Sequence, residues 1–427
     1  MFNLHTDDAT LAKTTDGQGK RLKMEYKGIE YLKSILTIKR RGVKDRYKYY
    51  EMKNIPFDFG ISTPPELKHF NSVIGWCSKG VDSLADRLDV HGFKNDFFNI
   101  ADIYAQNNKD ILFDEAILGA LISSCDFIYI SPDENGYPRL QVIDGGNATG
   151  IIEPITGMLN EGYAVLERDR YDVPIKEAYF RYEDTAYYEN GELVEVWTNP
   201  APYPLLVPVV YRPDAVRPFG HSRITRACMS LVGSALRTIK RSEISGEFYS
   251  FPQKYVTGLD RDAQTLDKWK SAMSAMITLT TNEDGVDHAK FGQFTQQSMT
   301  PHTDQLRMFA SLFAGEMGLT LDDLGFPQSN PSSYDAIKAA HESLRLTARK
   351  AQKNFAKGFI NAGFLAACMR DGYEYKRSQL AQTDVVWMPV FPADVSMLGS
   401  IGDALGKIET AIPGYMTEEK LYELTGF

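Results

Sequence analysis

The period of hydrophobic and polar positions changes several times along this 427-residue chain, and each change marks an element. Glu30 to Tyr50 reads as a helix carrying Lys39-Arg40-Arg41 and then Lys44-Asp45-Arg46-Tyr47-Lys48-Tyr49-Tyr50, with the cations on a solvated face and the rings gripping a core. Pro64-Pro65 opens a second helical region, with Asn71, Val73, Ile74, Trp76, Val81, Leu84 and Ala85 at helical spacings. From Phe127 the period falls to two. Phe127–Ile130, Leu140–Ile143, Tyr163–Leu166, Ala178–Arg181 and Leu193–Trp197 are strand candidates, with turns at Asn135-Gly136, Gly145-Gly146 and Asn190-Gly191, so this stretch predicts an antiparallel sheet. Asn199-Pro200-Ala201-Pro202-Tyr203-Pro204 breaks regular structure, and Val207 to Tyr211 gives one further, edge-like strand containing Pro208.

The second half is helical. Ser222 is placed to cap a helix whose apolar stripe is Ile224, Ala227, Cys228, Leu231, Ala235, Leu236 and Ile239. Residues 263–276 predict a short amphipathic helix, and Asn282-Glu283-Asp284-Gly285 a turn between two strand-like segments. Thr303 to Gly318 predicts a helix with Leu306, Phe309, Ala310 and Phe313 on one side and Gly318 as its stop. After a Gly- and Pro-containing loop, Asn330-Pro331 opens a helix running to about Arg370, far longer than the roughly three turns that are usual. Its stripe is Ile337, Ala340, Leu344, Ala348, Ala351, Phe355 and Phe359.

Composition sharpens this picture in two places. The chain has a formal charge of −9, yet Arg223 to Arg241 holds five Lys or Arg and no acid. Such local positive charge points to a polyanion or to an acidic neighbouring subunit. The four cysteines, Cys77, Cys125, Cys228 and Cys368, are scattered, which predicts reduced thiols and no disulfide framework. No apolar run approaches the roughly 20 residues of a membrane span, and the first 20 residues have no hydrophobic signal region.

Chemistry is sparse. HExxH, the Walker A loop, GxSxG and paired CxxC motifs are all missing, so the strong signatures of zinc hydrolysis, nucleotide binding and acyl transfer are missing with them. Gly145 to Gly150 is glycine-rich, but a hairpin context makes it a turn and not a phosphate cradle. The histidines are dispersed, and Asp322-Asp323 are adjacent carboxylates that read as a solvated turn in preference to a metal site. The residues imply no catalytic group, metal or cofactor.

The order of segments resembles a portal protein of tailed double-stranded DNA bacteriophages or prophages. The resemblance runs from about Tyr26 to the C-terminus and is most specific between Arg217 and Leu346. It rests on Val207-Pro208-Val209-Val210 leading to Arg217-Pro218-Phe219-Gly220-His221-Ser222-Arg223-Ile224, on Glu247 to Gln253, on Gln297 to Leu306, on Phe313-Ala314-Gly315-Glu316-Met317-Gly318-Leu319 and on Asn330-Pro331-Ser332-Ser333.

It implies an α+β portal fold with wing, stem and clip, and a ring, usually of twelve subunits, at one capsid vertex. That ring serves genome packaging and ejection and becomes the head-to-tail connector. The segments it implies are a flexible arm (1–25), the N-terminal wing (26–218), a first stem helix (219–258), the clip (259–300), a second stem helix (301–318), a tunnel loop (319–333), a long wing helix (334–371) and a C-terminal wing with minimal crown (372–427). By the same resemblance, Thr320, Asp322, Asp323, Gln328, Ser329 and Asn330 would face DNA in the channel. Arg223, Arg226, Arg237, Lys240, Arg241, Lys338, Arg345 and Arg349 would serve the channel or subunit contacts, and Trp269, Asn282, Glu283 and Asp284 would meet terminase and adaptor. Other implied partners are the chain itself, double-stranded DNA, and the capsid and scaffolding proteins; the implied location is the virion, with the host cytoplasm during assembly. Two readings compete with it: a metal-dependent nucleic-acid-processing enzyme using scattered carboxylates such as Asp322 and Asp323, and a monomeric binding module.

Overall fold

The computed structural model describes residues 25–55, 72–250, 254–257, 290–293, 298–327, 339–391, 395–415 and 417. Helices and antiparallel sheets mix throughout, and the chain divides into two compact units, one of residues 1–44, 85–222 and 348–427 and the other of 45–84 and 223–347. The predicted helix 263–276, the turn at Asn282 to Gly285 and the Pro64-Pro65 helix start lie outside the described residues.

The first unit is built on two facing antiparallel sheets. Strands β2 (Cys125–Pro132), β3 (Pro138–Ile143) and β9 (Leu206–Val210) form one, in the order β3-β2-β9. The other is β4 (Ala148–Ile152), β5 (Leu159–Arg168), β6 (Pro174–Phe180), β7 (Asp184–Glu189) and β8 (Glu192–Thr198), in sequence order. Tyr129 of β2 meets the second sheet twice, edge-on to Phe180 at 5.5 Å and by a 2.9 Å hydroxyl contact with Tyr187. Because β2 lies between β3 and β9 and is covered on both faces, residues 125–130 are all buried, where a half-solvated strand would alternate. Pro208 sits on the edge strand β9 opposite Phe127, where a missing N–H removes no ladder bond from the sheet interior. The β7–β8 turn uses Asn190 (φ 50°) and Gly191 (φ 85°), the two left-handed positions of a tight hairpin.

On the outer face of the five-stranded sheet lies α1 (Ile29–Tyr50), with Leu32 and Leu36 packed on Tyr163, Val165 and Tyr179. Two buried carboxylates fasten it. Glu161 accepts the main-chain N–H groups of Lys27 (2.9 Å) and Gly28 (3.3 Å) ahead of the helix and the Tyr179 hydroxyl at 2.7 Å, where negative charge also suits the helix dipole. Glu177 accepts the Tyr163 hydroxyl and pairs with Lys33 at 3.1 Å. The solvated cationic face expected for α1 is only part of the truth, since Lys39 sits 5.0 Å from each of the Phe127 and Phe219 rings.

Helices α3 (Ile100–Gln106) and α4 (Lys109–Ser123) precede β2, and the long helix α7 (Glu342–Asp371) returns to them. Its Phe359 stacks edge-on to Phe113 at 4.7 Å, and Tyr104 donates to the Phe359 carbonyl at 2.6 Å. Leu344, Ala348, Ala351, Phe355 and Phe359 are buried as the 3.6-residue period requires, whereas Ala340 is exposed and Ile337 lies outside the described residues. Strand β1 (Val90–Lys94) pairs with β12 (Asp384–Trp387), which lies far from it in the sequence.

Gly145-Gly146 is a turn and not a phosphate cradle. Its Gly145 N–H donates to Asp126 at 2.9 Å, and Ser123 donates to the same carboxyl oxygen at 2.7 Å. Burial outweighs both bonds and pushes the Asp126 carboxyl from 3.8 up to about 7. A folded-state pKa raised above the unfolded one means the folded protein binds the proton more tightly, so this contribution is full below 3.8 and is lost as pH rises through about 7. Denaturation midpoints should therefore fall as pH is raised from about 5 to about 8, and in Asp126→Asn, whose amide cannot ionise, that part of the slope should vanish.

A candidate helix-pair site and the segment beyond it

The second unit gathers the segments in which the resemblance is most specific. They are α5 (Arg226–Ser250), the two-stranded ribbon β10 (Lys254–Thr257) and β11 (Lys290–Gln293), α6 (Thr300–Met317) and a 3-10 turn at Asp322–Leu324, joined by α2 (Trp76–Ala85) from earlier in the chain.

The run Gly220-His221-Ser222-Arg223 is spent on structure one residue at a time. Gly220 takes φ 73°, and a side chain there would meet the Tyr211 carbonyl at 2.0 Å. Ser222 was expected to cap the helix; instead it is buried and its hydroxyl donates to the Ile122 carbonyl at 2.6 Å. Helix α5 starts three residues after Arg223, and Thr225 is its cap, accepting the Cys228 N–H at 3.2 Å.

Arg223 is 5% exposed and does not lie on a solvent-facing basic surface. Its Nε donates to the Gly80 carbonyl of α2 at 2.6 Å and its Nη2 to the Met317 carbonyl at the end of α6 at 2.9 Å. A cation against the last carbonyls of a helix satisfies orphan acceptors and complements the dipole. One guanidinium thus joins α2, the approach to α5 and the end of α6.

Around it, Trp76 packs on Phe313 at 5.6 Å, and Thr225 donates to Glu316 at 2.9 Å. Cys228, Val232, Ala235 and Leu236 are buried on α5, and Ala310, Phe313, Ala314 and Met317 on α6. The core stripes are thus rotated from those read in the sequence: Ala227 is exposed, and Leu231, Leu306 and Phe309 are only half-buried. Thr238 donates to Gln305 at 3.1 Å, a second tie between the two helices.

The other basic positions differ from Arg223 and from one another. Arg226, Arg241 and Arg349 are exposed, and Lys240 is half-buried. Arg237, also half-buried, donates to Ser234 at 2.9 Å, and Arg345 grips Glu342 with two bonds of 2.7 and 2.6 Å. Lys338 lies outside the described residues, as do Gln328, Ser329, Asn330, Trp269, Asn282, Glu283 and Asp284.

Helix α6 ends as expected at Gly318, in the left-handed region at φ 65°, with the Leu319 N–H reaching back to Ala314 at 2.8 Å. Beyond it, the N–H and hydroxyl of Thr320 both donate to Asp323 at 2.9 Å, and Leu324 is buried as an anchor. Asp323 is therefore engaged within its own turn, while Asp322 is exposed. Among the described residues no group of three or more His, Cys, Asp or Glu could hold a metal ion.

No family model matches the chain. It is similar to the curated portal proteins of Mycobacterium phage L5, at 26% identity over 375 residues (82% of this chain and 74% of the relative), and of Mycobacterium phage D29, at 25% over 373 residues (81% and 75%). These relatives bear out the resemblance to phage portal proteins carried by the sequence. Solved chains similar in fold include one from the virion of a native gene transfer agent particle, covering 91% of this chain and 94% of its own at 12% identity and a TM-score of 0.49. Another, from the neck of the native particle computed with C12 symmetry, covers 90% and 99% at 14% identity and 0.44.

Removing the Arg223 side chain leaves the buried Met317 carbonyl at the end of α6 without its donor and takes a second bond from the Gly80 carbonyl. Arg223→Ala should cost about 3 kcal/mol or more by urea denaturation, while Arg226→Ala, three residues away and exposed, should change stability by less than about 0.5 kcal/mol.

Proposed function

We propose that this protein is a phage portal: a noncatalytic subunit of a closed ring, of about twelve copies, at one vertex of a capsid. The observation that carries the reading is the similarity to two portal proteins over about four fifths of the chain. On this reading the first unit supplies much of the wing, and α5 and α6 are the stem helices. The ribbon β10–β11 is the base of the clip, which meets terminase during packaging and the adaptor afterwards. Residues 319–333 are the tunnel loop, and α7 is the long wing helix. Capsid and scaffolding proteins surround the wing. The ring belongs to the virion and is assembled in the host cytoplasm.

Physical considerations support the assignment. Duplex DNA must slide through a channel, and dense phosphate contacts would act as drag, which suits a chain of net charge −9. Exposed Arg226, Arg241 and Arg349 are then available to the channel or to an acidic neighbour, whereas Arg223 is not. A loop that begins at a firmly stopped helix is suited to movement, because hinges concentrate at element ends.

Mass photometry with negative-stain imaging of the purified protein tests this. A ring with a central hole and a mass near twelve times 48.0 kDa is expected. A chain that stays monomeric at high concentration and cuts DNA with a divalent metal, losing that activity in Asp322→Ala/Asp323→Ala, would replace the portal reading with the enzyme.

A further inference from the structure

Strand β8 is the last strand of the five-stranded sheet, and all seven of its residues are exposed. Four of them are large and apolar: Leu193 (57% exposed), Val194 (63%), Val196 and Trp197. A free edge with this composition is a template for another chain, and soluble proteins normally cover or charge such edges. The charge present is of one sign. Glu192 and Glu195 lie on β8, and Glu192 stands directly opposite Glu189 across the hairpin, an arrangement of like charges that costs free energy unless cations approach. Lys176, the cross-strand neighbour of Glu189, is already paired with Glu167 at 2.7 Å.

A second surface of the same unit has the opposite character. Asp172, in the β5–β6 turn, draws in Arg40 and Lys44 of α1, with Arg168 beside it. Arg41 and Arg170 remain exposed at the rim, Arg170 lying 4.7 Å from the Tyr171 ring. Large apolar groups are exposed as well: Tyr171 (70%) and Val173 in the turn, and Ile38 (79%) on the outward side of α1, one helical turn from Arg41.

We infer that the β8 edge of one copy docks on this α1 and β5–β6 surface of the next copy, with Glu192 and Glu195 meeting Arg41 and Arg170 around an apolar centre. The edge and the basic surface complement each other in charge and both expose apolar side chains. They are different surfaces of one chain, so the contact is heterologous and repeats until a ring closes. This inference rests on the ring reading and names a contact that builds the ring.

Charge reversal tests it with the full chain. Glu192→Lys/Glu195→Lys and, separately, Arg41→Glu/Arg170→Glu should each reduce the ring fraction in mass photometry by about tenfold or more while leaving the circular dichroism unchanged. A chain carrying all four changes should recover rings, because the pairing is restored with its signs exchanged. As a second readout, Ile38→Cys/Val194→Cys treated with a short bis-maleimide should give a ladder of multimers, and neither single cysteine should. Rings at wild-type level in either reversed pair, failure of the fourfold variant to recover them, or absence of the ladder would overturn the docking while leaving the ring reading intact. A wild-type chain that forms no ring would remove the ring reading first, before any variant is compared.

Discussion

A guanidinium taken out of water must find acceptors, and in the second unit that requirement fixes where three elements meet. Arg223 satisfies it with one carbonyl from α2 and one from the end of α6. The Met317 carbonyl would otherwise be poorly served, because it lies in the last turn of a helix, where no following N–H continues the ladder. The bond to Met317 also makes the stop at Gly318 a fixed post, from which the segment with Thr320 and Asp323 begins. Packing of Trp76 on Phe313 then aligns α2 with α6, and the Thr238–Gln305 bond α5 with α6, around a junction already defined.

The same rule governs the first unit with the sign reversed. Glu161, Glu177 and Asp126 are buried, and each is surrounded by donors from other elements. Glu161 and Glu177 each take a tyrosine hydroxyl from a neighbouring strand and a nitrogen donor from the segment leading into or forming α1, so helix and sheet share a hydrogen-bond network as well as an apolar contact. Asp126 differs, because its donors are close but burial prevails and the group holds its proton up to about pH 7. Buried polar groups of this kind specify one arrangement, because any other leaves a charge or a carbonyl unpaired.

Much of this was legible in the sequence where a period or a turn residue carried the information. The stripe from Leu344 to Phe359, the hairpin at Asn190-Gly191 and the stop at Gly318 follow from local rules, and the structure repeats them. Positions decided by distant partners were not legible. Arg223 looks like one of five cations on a basic helix, and its partners lie 143 and 94 residues away. Ser222 has the composition of a cap, but a carbonyl of α4 claims its hydroxyl. Strand β4, hidden behind a glycine-rich turn, and the pairing of β1 with β12 had no local signal, since pairing partners and not propensity define them. The tunnel-loop and clip residues were assigned through resemblance alone; of these, Thr320 and Asp323 bond to each other and Asp322 is exposed.

The burial of all four cysteines has a chemical consequence. None is at the surface, and burial pushes the thiols of Cys77 and Cys125 up to about 12 and that of Cys368 to about 11, with Cys228 also raised. At neutral pH almost no thiolate is present, and the thiolate is the species that oxidises, exchanges and binds soft metals. The folded chain therefore meets an oxidising environment with its four thiols shielded.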